Sequence, residues 1–131
     1  MQKYTARQDA EAGGSNVVDL DITDDCGGFG WLRGVRERSV MVELRKASGN
    51  VLALGYSWLE RVEYDPSEGI TLLFAGQKVR IKGRNLNSEV RPLVRLFEGL
   101  TRHRVPWIRE AGRADAMEAS EGACVVESIE W

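Results

Sequence analysis

Apolar side chains recur at every second position over most of the segment 40–82, and short turn sequences interrupt the alternation. A period of two is typical of β-strands that bury one face and expose the other. Two of the interruptions have strong turn chemistry, Ala47-Ser48-Gly49-Asn50 and Asp65-Pro66-Ser67-Glu68-Gly69. The pattern predicts about five short antiparallel strands, centred on residues 40–44, 52–56, 58–64, 70–74 and 78–82.

The hydrophobic period changes after Asn87. Apolar residues then follow the i, i+3, i+4, i+7 spacing of an amphipathic helix, at Leu93, Leu96, Phe97 and Leu100. Pro92 suits the first turn of such a helix, where no amide donor is needed. Pro106 disfavours helix at the residue before it, so the helix should end near residue 102 or 103.

Together these elements predict an α+β fold. The strands should form a curled sheet or a small partly closed barrel, covered by one main C-terminal amphipathic helix. This layout is similar in general shape to the Sm-like and pleckstrin-homology-like small barrels. It departs from the first because Asp65 precedes a proline turn with no matching Asn after it, and from the second because it has fewer strands. A resemblance of shape implies no function.

Charge divides the 131 residues into three parts. Residues 1–27 carry a net charge of −4, residues 28–113 a net charge of +7, and residues 114–131 a net charge of −5. Acidic termini of this composition are commonly poorly ordered. We therefore predict one folded domain over 28–113, between an acidic, poorly ordered N-terminal segment and an acidic C-terminal tail in which only 124–129 could add a short strand. The alternative is that both termini fold over the basic body and compete with an anionic partner.

The basic body contains the candidate binding residues. Lys78, Arg80 and Lys82 should share one strand face, Arg91, Arg95 and Arg102 should share one helix face, and Arg84 lies between the two groups. Arginine forks suit phosphate and carboxylate, and such a surface would bind nucleic acid in a salt-dependent way. The alternative is that these side chains only protect an edge strand and solvate a helix.

Residues for catalysis or metal binding are scarce. His103 is the single histidine, and no serine or cysteine motif accompanies it as a nucleophile. The two cysteines, Cys26 and Cys124, are too far apart in sequence for a zinc ligand set. The glycine-rich run 27–30 lacks the Lys-Ser/Thr of a phosphate loop. We therefore expect no enzymatic activity, no metal and no cofactor.

What remains is a small non-enzymatic binding module of unknown specific function, whose ligand is a protein or a peptide, because an edge strand could accept another strand. The alternative is a nucleic-acid-binding module that uses the basic strand and helix faces. The same edge could also pair two copies of the chain. No apolar run approaches the roughly 20 residues of a membrane helix, the N-terminus lacks a secretory signal, and two cysteines in polar surroundings suit a cytoplasmic protein.

Overall fold

The computed structural model describes residues 22–131, which form nine strands, two short α-helices and one 3-10 turn at Tyr56–Trp58. In chain order the elements are β1 (Thr23–Asp25), β2 (Gly30–Leu32), β3 (Met41–Arg45), β4 (Val51–Gly55), β5 (Leu59–Asp65), β6 (Gly69–Phe74), β7 (Gln77–Arg84), α1 (Leu96–Thr101), β8 (Trp107–Arg109), α2 (Arg113–Glu118) and β9 (Val125–Glu130). The described residues include no helix that is both long enough and apolar enough to span a membrane.

The strands form three sheets. β1 and β2 form a small antiparallel pair, β4-β3-β8 form a three-stranded sheet in which β8 runs parallel to β3, and β5-β6-β7-β9 form an antiparallel four-stranded sheet. The predicted α+β architecture is therefore wrong. Residues 22–131 are mostly β, none of their sheets closes into a barrel, and they contain no long C-terminal helix.

The five alternating runs are present as β3 to β7, but they do not form one sheet. The 3-10 turn at Tyr56–Trp58 follows β4 and redirects the chain, so β5 begins the second sheet rather than extending the first. Alternation within a run depends on local contacts, whereas the assignment of a run to a sheet depends on how the turns direct the chain. This difference explains why the strands could be located and their grouping could not.

The predicted helix is much shorter than its hydrophobic spacing implied. α1 covers only Leu96–Thr101, and Leu93 lies outside it with a positive φ of 67° and an exposed side chain. The Leu93 amide donates to Glu89 Oε2 at 2.8 Å, and Arg91 and Val94 form an isolated antiparallel bridge. These contacts form a non-helical turn before α1, so Pro92 does not start the helix.

The C-terminal segment 114–131 includes the short strand that its sequence allowed at 124–129. It contains most of α2 and all of β9, and β9 pairs with β7 in antiparallel register, placing Ile129 opposite Ile81. Both isoleucines are buried in the core. At the other end, residues 23–25 form β1, while the rest of the acidic N-terminal prediction, residues 1–21, lies outside the described residues.

The core lies between the two larger sheets and is closed by α1. Its fully buried side chains come from both sheets, from α1 and from the chain before β2, and the largest are Phe29, Phe74, Leu44, Ile70, Leu72, Ile81, Leu96, Leu100, Ile108 and Ile129. Trp31 contacts Phe29 edge to face, with ring centroids 6.5 Å apart. Because this core uses the inner faces of both sheets, the side chains of their outer faces lie outside it.

Candidate functional site

The basic row on β7 lies where it was predicted and faces acidic partners. Lys78, Arg80 and Lys82 point away from the core, opposite the buried side chains of β7. Arg80 Nη1 lies 3.8 Å from Glu68 Oε1, and Lys82 Nζ lies 3.7 Å from Glu130 Oε2. The acidic C-terminal strand therefore neutralises part of this row, because pairing with β7 brings its carboxylates alongside the basic side chains.

Arg84 follows the same pattern beyond a β-bulge at Lys82 and Gly83. Its Nε lies 3.0 Å from Glu127 Oε2, and its Nη2 donates to the backbone carbonyl of Ala116. A side chain at Gly83 would overlap the carbonyl oxygen of Val125. The glycine therefore allows β9 to approach β7 closely.

The three arginines near α1 do not share one helix face, so that prediction is wrong. α1 has only six residues; Arg91 precedes it, Arg95 is its N-cap and Arg102 its C-cap. Arg91 Nη2 lies 2.6 Å from Asp24 Oδ2 and Arg95 Nη2 lies 3.7 Å from Glu89 Oε1. Among the described residues, Lys78 and Arg102 are the members of the predicted set without an ion pair. Nucleic-acid binding by these residues stays a prediction.

His103 has a structural position at the end of α1. It adopts a positive φ of 57°, and its ring stacks on Tyr56 with centroids 4.5 Å apart. The Tyr56 hydroxyl donates to the carbonyl of Val105 at 2.6 Å, and burial raises the pKa of this phenol far above its ordinary value of 10. The stack anchors the chain between α1 and β8 to the 3-10 turn.

The two cysteines line the same cavity, which has a volume of about 810 Å³. Cys26 is half-buried and Cys124 is buried; burial raises the pKa of both thiols, that of Cys124 to about 12. Two carboxylates in the wall already have partners: Glu110 accepts the Ala47 and Ile129 amides, and Glu89 accepts the Leu93 amide. No group of three or more His, Cys, Asp or Glu side chains within residues 22–131 is placed to hold a metal ion.

The edges of the two larger sheets differ sharply in their protection. The outer edge of β5 carries Glu60, Arg61, Glu63 and Asp65, and a register shift interrupts its pairing with β6. The outer edge of β9 is covered, because Val126 accepts the Ala111 amide and Ile129 donates to Glu110. Charge, irregularity and coverage are the usual ways in which proteins stop an edge from pairing with another chain.

The outer edge of β8 is covered as well. The amide of Arg109 donates to the carbonyl of Gly28 at 2.8 Å, and Phe29 forms an antiparallel bridge with Ile108. The chain that leads into β2 therefore occupies the position of a neighbouring strand. Of the four edges of these two sheets, three are protected within the described part of the chain.

Within residues 22–131, the fourth edge, the outer side of β4, has none of these protections. β4 reads Val51-Leu52-Ala53-Leu54-Gly55, without a charged residue or a proline, and its one neighbour among the described strands is β3. The amide of Glu43 donates to Pro106 and the carbonyl of Arg45 accepts from Glu110, so these odd-numbered groups of β3 point toward β8. In register, Leu52 and Leu54 therefore bond β3, and the backbone groups of Val51 and Ala53 and the amide of Gly55 point outward.

Exposed apolar side chains surround the Gly55 end of this edge. Trp58 has 64% of its surface exposed, Val40 has 83% and Met41 has 44%. The Trp58 ring lies beside Gly55 and borders a notch of about 310 Å³, which is also lined by Leu54, Phe74 and Ala75. The predicted strand 58–64 included Trp58, but this residue belongs to the 3-10 turn and β5 begins at Leu59, so the alternation does not extend to its side chain.

The Val51 end of the edge is more polar. Arg45 pairs with Val51 in register and its Nη2 lies 2.9 Å from Glu43 Oε1. The guanidinium carbons of Arg45 and Arg109 each lie 5.0 Å from the centroid of the Trp107 ring. On the outer face of this sheet, next to the unprotected edge, the Trp107 ring thus makes cation–π contacts with Arg45 and Arg109.

We call the outer backbone groups of β4, together with Trp58 and its notch, the β4 edge. The sequence predicted an edge strand but did not identify β4 as that strand. The available signal was the absence of charge from residue 51 to residue 55. Comparisons of the chain with protein-family models, with curated proteins and with solved structures found no match.

Proposed function

We propose that this chain is a small non-enzymatic binding module that accepts an extended segment of a protein or peptide along the β4 edge. The observation that carries the proposal is the contrast between edges. Three edges of the two larger sheets are charged or covered, whereas β4 is uncharged and has open backbone groups. An unprotected edge of this kind is a template for pairing with another chain.

The main chain of the partner supplies most of the contacts in this mode of binding. Val51 and Ala53 each offer one amide and one carbonyl on the outer side, by the register of β4 with β3, and Gly55 adds its amide. The Gly55 carbonyl belongs to the 3-10 turn, of which Gly55 is the N-cap. Each hydrogen bond formed with the outward groups contributes a net ~0.5–1.5 kcal/mol. Backbone pairing of this type tolerates many sequences, so specificity has to come from side-chain pockets beside the edge.

Trp58 and its notch provide such a pocket. The notch has partly buried Leu54 and buried Phe74 as walls, and exposed Trp58 as a rim. Tryptophan in a well-packed interface often dominates binding energy. An apolar side chain of the bound segment would fill the notch and remove the exposed indole from water, and this expectation favours peptides with a large aliphatic or aromatic residue near one end.

A proline scan of the edge tests the proposal. Peptides selected from a displayed random library against the wild-type chain would be titrated into Ala53→Pro, which lacks one outward amide. Proline is tolerated at an edge position whose N–H faces solvent, so the fold should survive. We expect at least about tenfold weaker binding, equivalent to ~1.4 kcal/mol, while Ala53→Ser, which keeps the amide, binds as the wild type does.

Trp58→Ala should weaken the same peptides without changing the backbone pairing. Circular dichroism and urea unfolding would establish that each variant is folded. The proposal fails if no peptide is enriched. It also fails if the enriched peptides bind Ala53→Pro and Trp58→Ala as tightly as they bind the wild type.

A further inference from the structure

The β4 edge is self-complementary about Ala53, the central residue of β4. Val51 and Gly55 are its outer neighbours, and the amides of all three residues point outward, together with the carbonyls of Val51 and Ala53. If two copies of β4 are placed side by side in antiparallel orientation, Ala53 faces Ala53, and each Val51 faces the other copy's Gly55. The two Ala53 residues would then exchange both hydrogen bonds, and each Gly55 amide would donate to the Val51 carbonyl of the other copy.

The side chains fit the same arrangement. Val51 is 55% exposed on the solvent side of the sheet, and Gly55 has no side chain at the position it would face. Met41 lies beside Gly55 in register with it, and Trp58 lies against Gly55 as well. The Val51 side chain of one copy would therefore pack against the Met41 and Trp58 side chains that flank Gly55 in the other copy, and the two-fold axis repeats this contact.

Electrostatics do not oppose the pairing. No residue of β4 is charged, so no like charges face one another across the axis. The charged side chains of the same outer face, Glu43 and Arg45, belong to β3 and are separated from their symmetry mates by the two copies of β4. They also form an ion pair with each other, at 2.9 Å. The exposed apolar residues Val51, Met41 and Trp58 all lose water contact.

We propose that a second copy of this chain occupies the β4 edge when no other partner is bound, forming a two-fold dimer with a continuous six-stranded sheet. The inference rests on the proposed function, since it assigns an occupant to the same edge. Two five-residue strands form a small interface, which is typical of weak and transient association. A peptide partner and a second copy would therefore compete, and dimerisation would keep the uncharged edge covered.

Complementary charges at Ala53 provide a sharp test, because the two-fold axis passes beside this exposed residue. Ala53→Glu and Ala53→Lys would each place like charges opposite each other, so each variant alone should sediment as the monomer of 14.6 kDa. An equimolar mixture should form a heterodimer. The wild type should move from monomer to dimer as its concentration rises, and selected peptides should shift it back to monomer.

The outcomes separate this inference from the proposed function. A wild-type chain that stays monomeric at all concentrations but binds the selected peptides overturns the dimer and leaves the peptide-binding proposal in place. A dimer that persists in both Ala53→Glu and Ala53→Lys alone also overturns it, since another surface would then form the interface. Failure of the chain to bind any selected peptide counts against the proposed function, whatever its sedimentation.

Discussion

Arg104 Nη2 donates a buried hydrogen bond of 2.5 Å to the backbone carbonyl of Leu32, 72 residues earlier in the chain. The Nη1 of the same guanidinium donates to the carbonyls of Gly34, Val35 and Glu37. Its carbon also lies 5.4 Å from the centroid of the Trp31 ring. One buried arginine thus links the loop after β2 to the end of α1 through backbone acceptors, and none of its partners within residues 22–131 is a carboxylate.

Replacing this arginine should destabilise the fold strongly. Arg104→Met would leave several carbonyls of the loop without a donor, and an unsatisfied buried polar group costs ~1–3 kcal/mol. We expect a loss of about 2–4 kcal/mol in the free energy of unfolding, measured by urea denaturation. Arg102→Met, two residues earlier and exposed, is the matched control and should change stability little. Equal losses in the two variants would contradict the role of the guanidinium.

The ion pairs of Asp24 with Arg33 and Arg91 should make the stability of the fold depend on pH. Arg33 and Arg91 each lie 2.6 Å from the Asp24 carboxylate, and hydrogen bonds from these two arginines lower its pKa from 3.8 to about 2. Because the pKa of Asp24 is lower in the folded state, its ionised carboxylate stabilises the fold. This contribution to the free energy of unfolding is fully present above about pH 4 and is lost as the pH falls toward about 2. The urea midpoints of the wild type and Asp24→Asn should therefore converge over this range.

The exposed Glu60→Gln variant controls for a general effect of losing one negative charge. Its difference from the wild type should be small, because the Glu60 side chain is exposed. If the difference in urea midpoint between the wild type and Asp24→Asn stays constant over this range, the Asp24 carboxylate does not stabilise the fold through its charge.

Gly83→Ala should detach or strain β9. A Cβ at this position overlaps the carbonyl of Val125, and the neighbouring Glu127 amide is also close. Overpacking of this kind costs ~1–3 kcal/mol. We expect lower stability and faster hydrogen exchange of the β9 amides. Gly112→Ala is the control, because its Cβ meets only Asp115 Oδ2, at 3.8 Å. Unchanged exchange in Gly83→Ala would refute the close approach of the two strands.

The two thiols should react at different rates in the folded chain. The pKa of Cys124 is raised to about 12, so roughly one thiol in ten thousand is ionised at about pH 8. Cys26 is more exposed. Iodoacetamide should therefore give a single adduct at Cys26 in buffer and two adducts in urea, as read by peptide mass spectrometry. In Cys26→Ser the folded chain should remain unmodified; rapid labelling of that variant would contradict the burial of Cys124.

The alternative function, nucleic-acid binding, can be tested at the basic row of β7, which consists of Lys78, Arg80, Lys82 and Arg84. Glu68, Glu127 and Glu130 pair with this row, and we therefore expect no RNA or DNA binding in fluorescence anisotropy at about 50 mM salt. Binding that disappears in Arg80→Glu/Lys82→Glu would instead favour the alternative. It should then strengthen in Glu127→Gln/Glu130→Gln, because this change removes the competing carboxylates without adding a cation.

Some parts of the fold are predictable because they are encoded locally. Alternation located β3 to β7, since Val42 and Leu44 or Val79 and Ile81 become buried whichever sheet they join. Local spacing failed at Leu93, where a carboxylate of Glu89 binds the amide and a bridge closes the turn. It failed again at Trp58, where a three-residue 3-10 turn changes the face to which the side chain points.

The candidate site illustrates the same division. The sequence shows that residues 51–55 are uncharged. This feature identifies β4 as the unprotected edge only because the structure shows that the other three edges are charged or covered. Coverage of β9 by Glu110 and of β8 by Gly28 involves residues far apart in the chain. Neither hydrophobic periodicity nor a sequence motif predicts such contacts, because they depend on how the sheets pack together.

The sequence by itself determined where the strands of the central segment lie, and it allowed a further short strand at 124–129. Both properties depend on residue identity and near-neighbour spacing. Only the tertiary structure decided that this last strand would pair with β7 and bring its carboxylates beside the basic row, and that β4 would be left as the open edge among the described strands. Those outcomes depend on long-range packing, in which the last strand is placed by the core it completes.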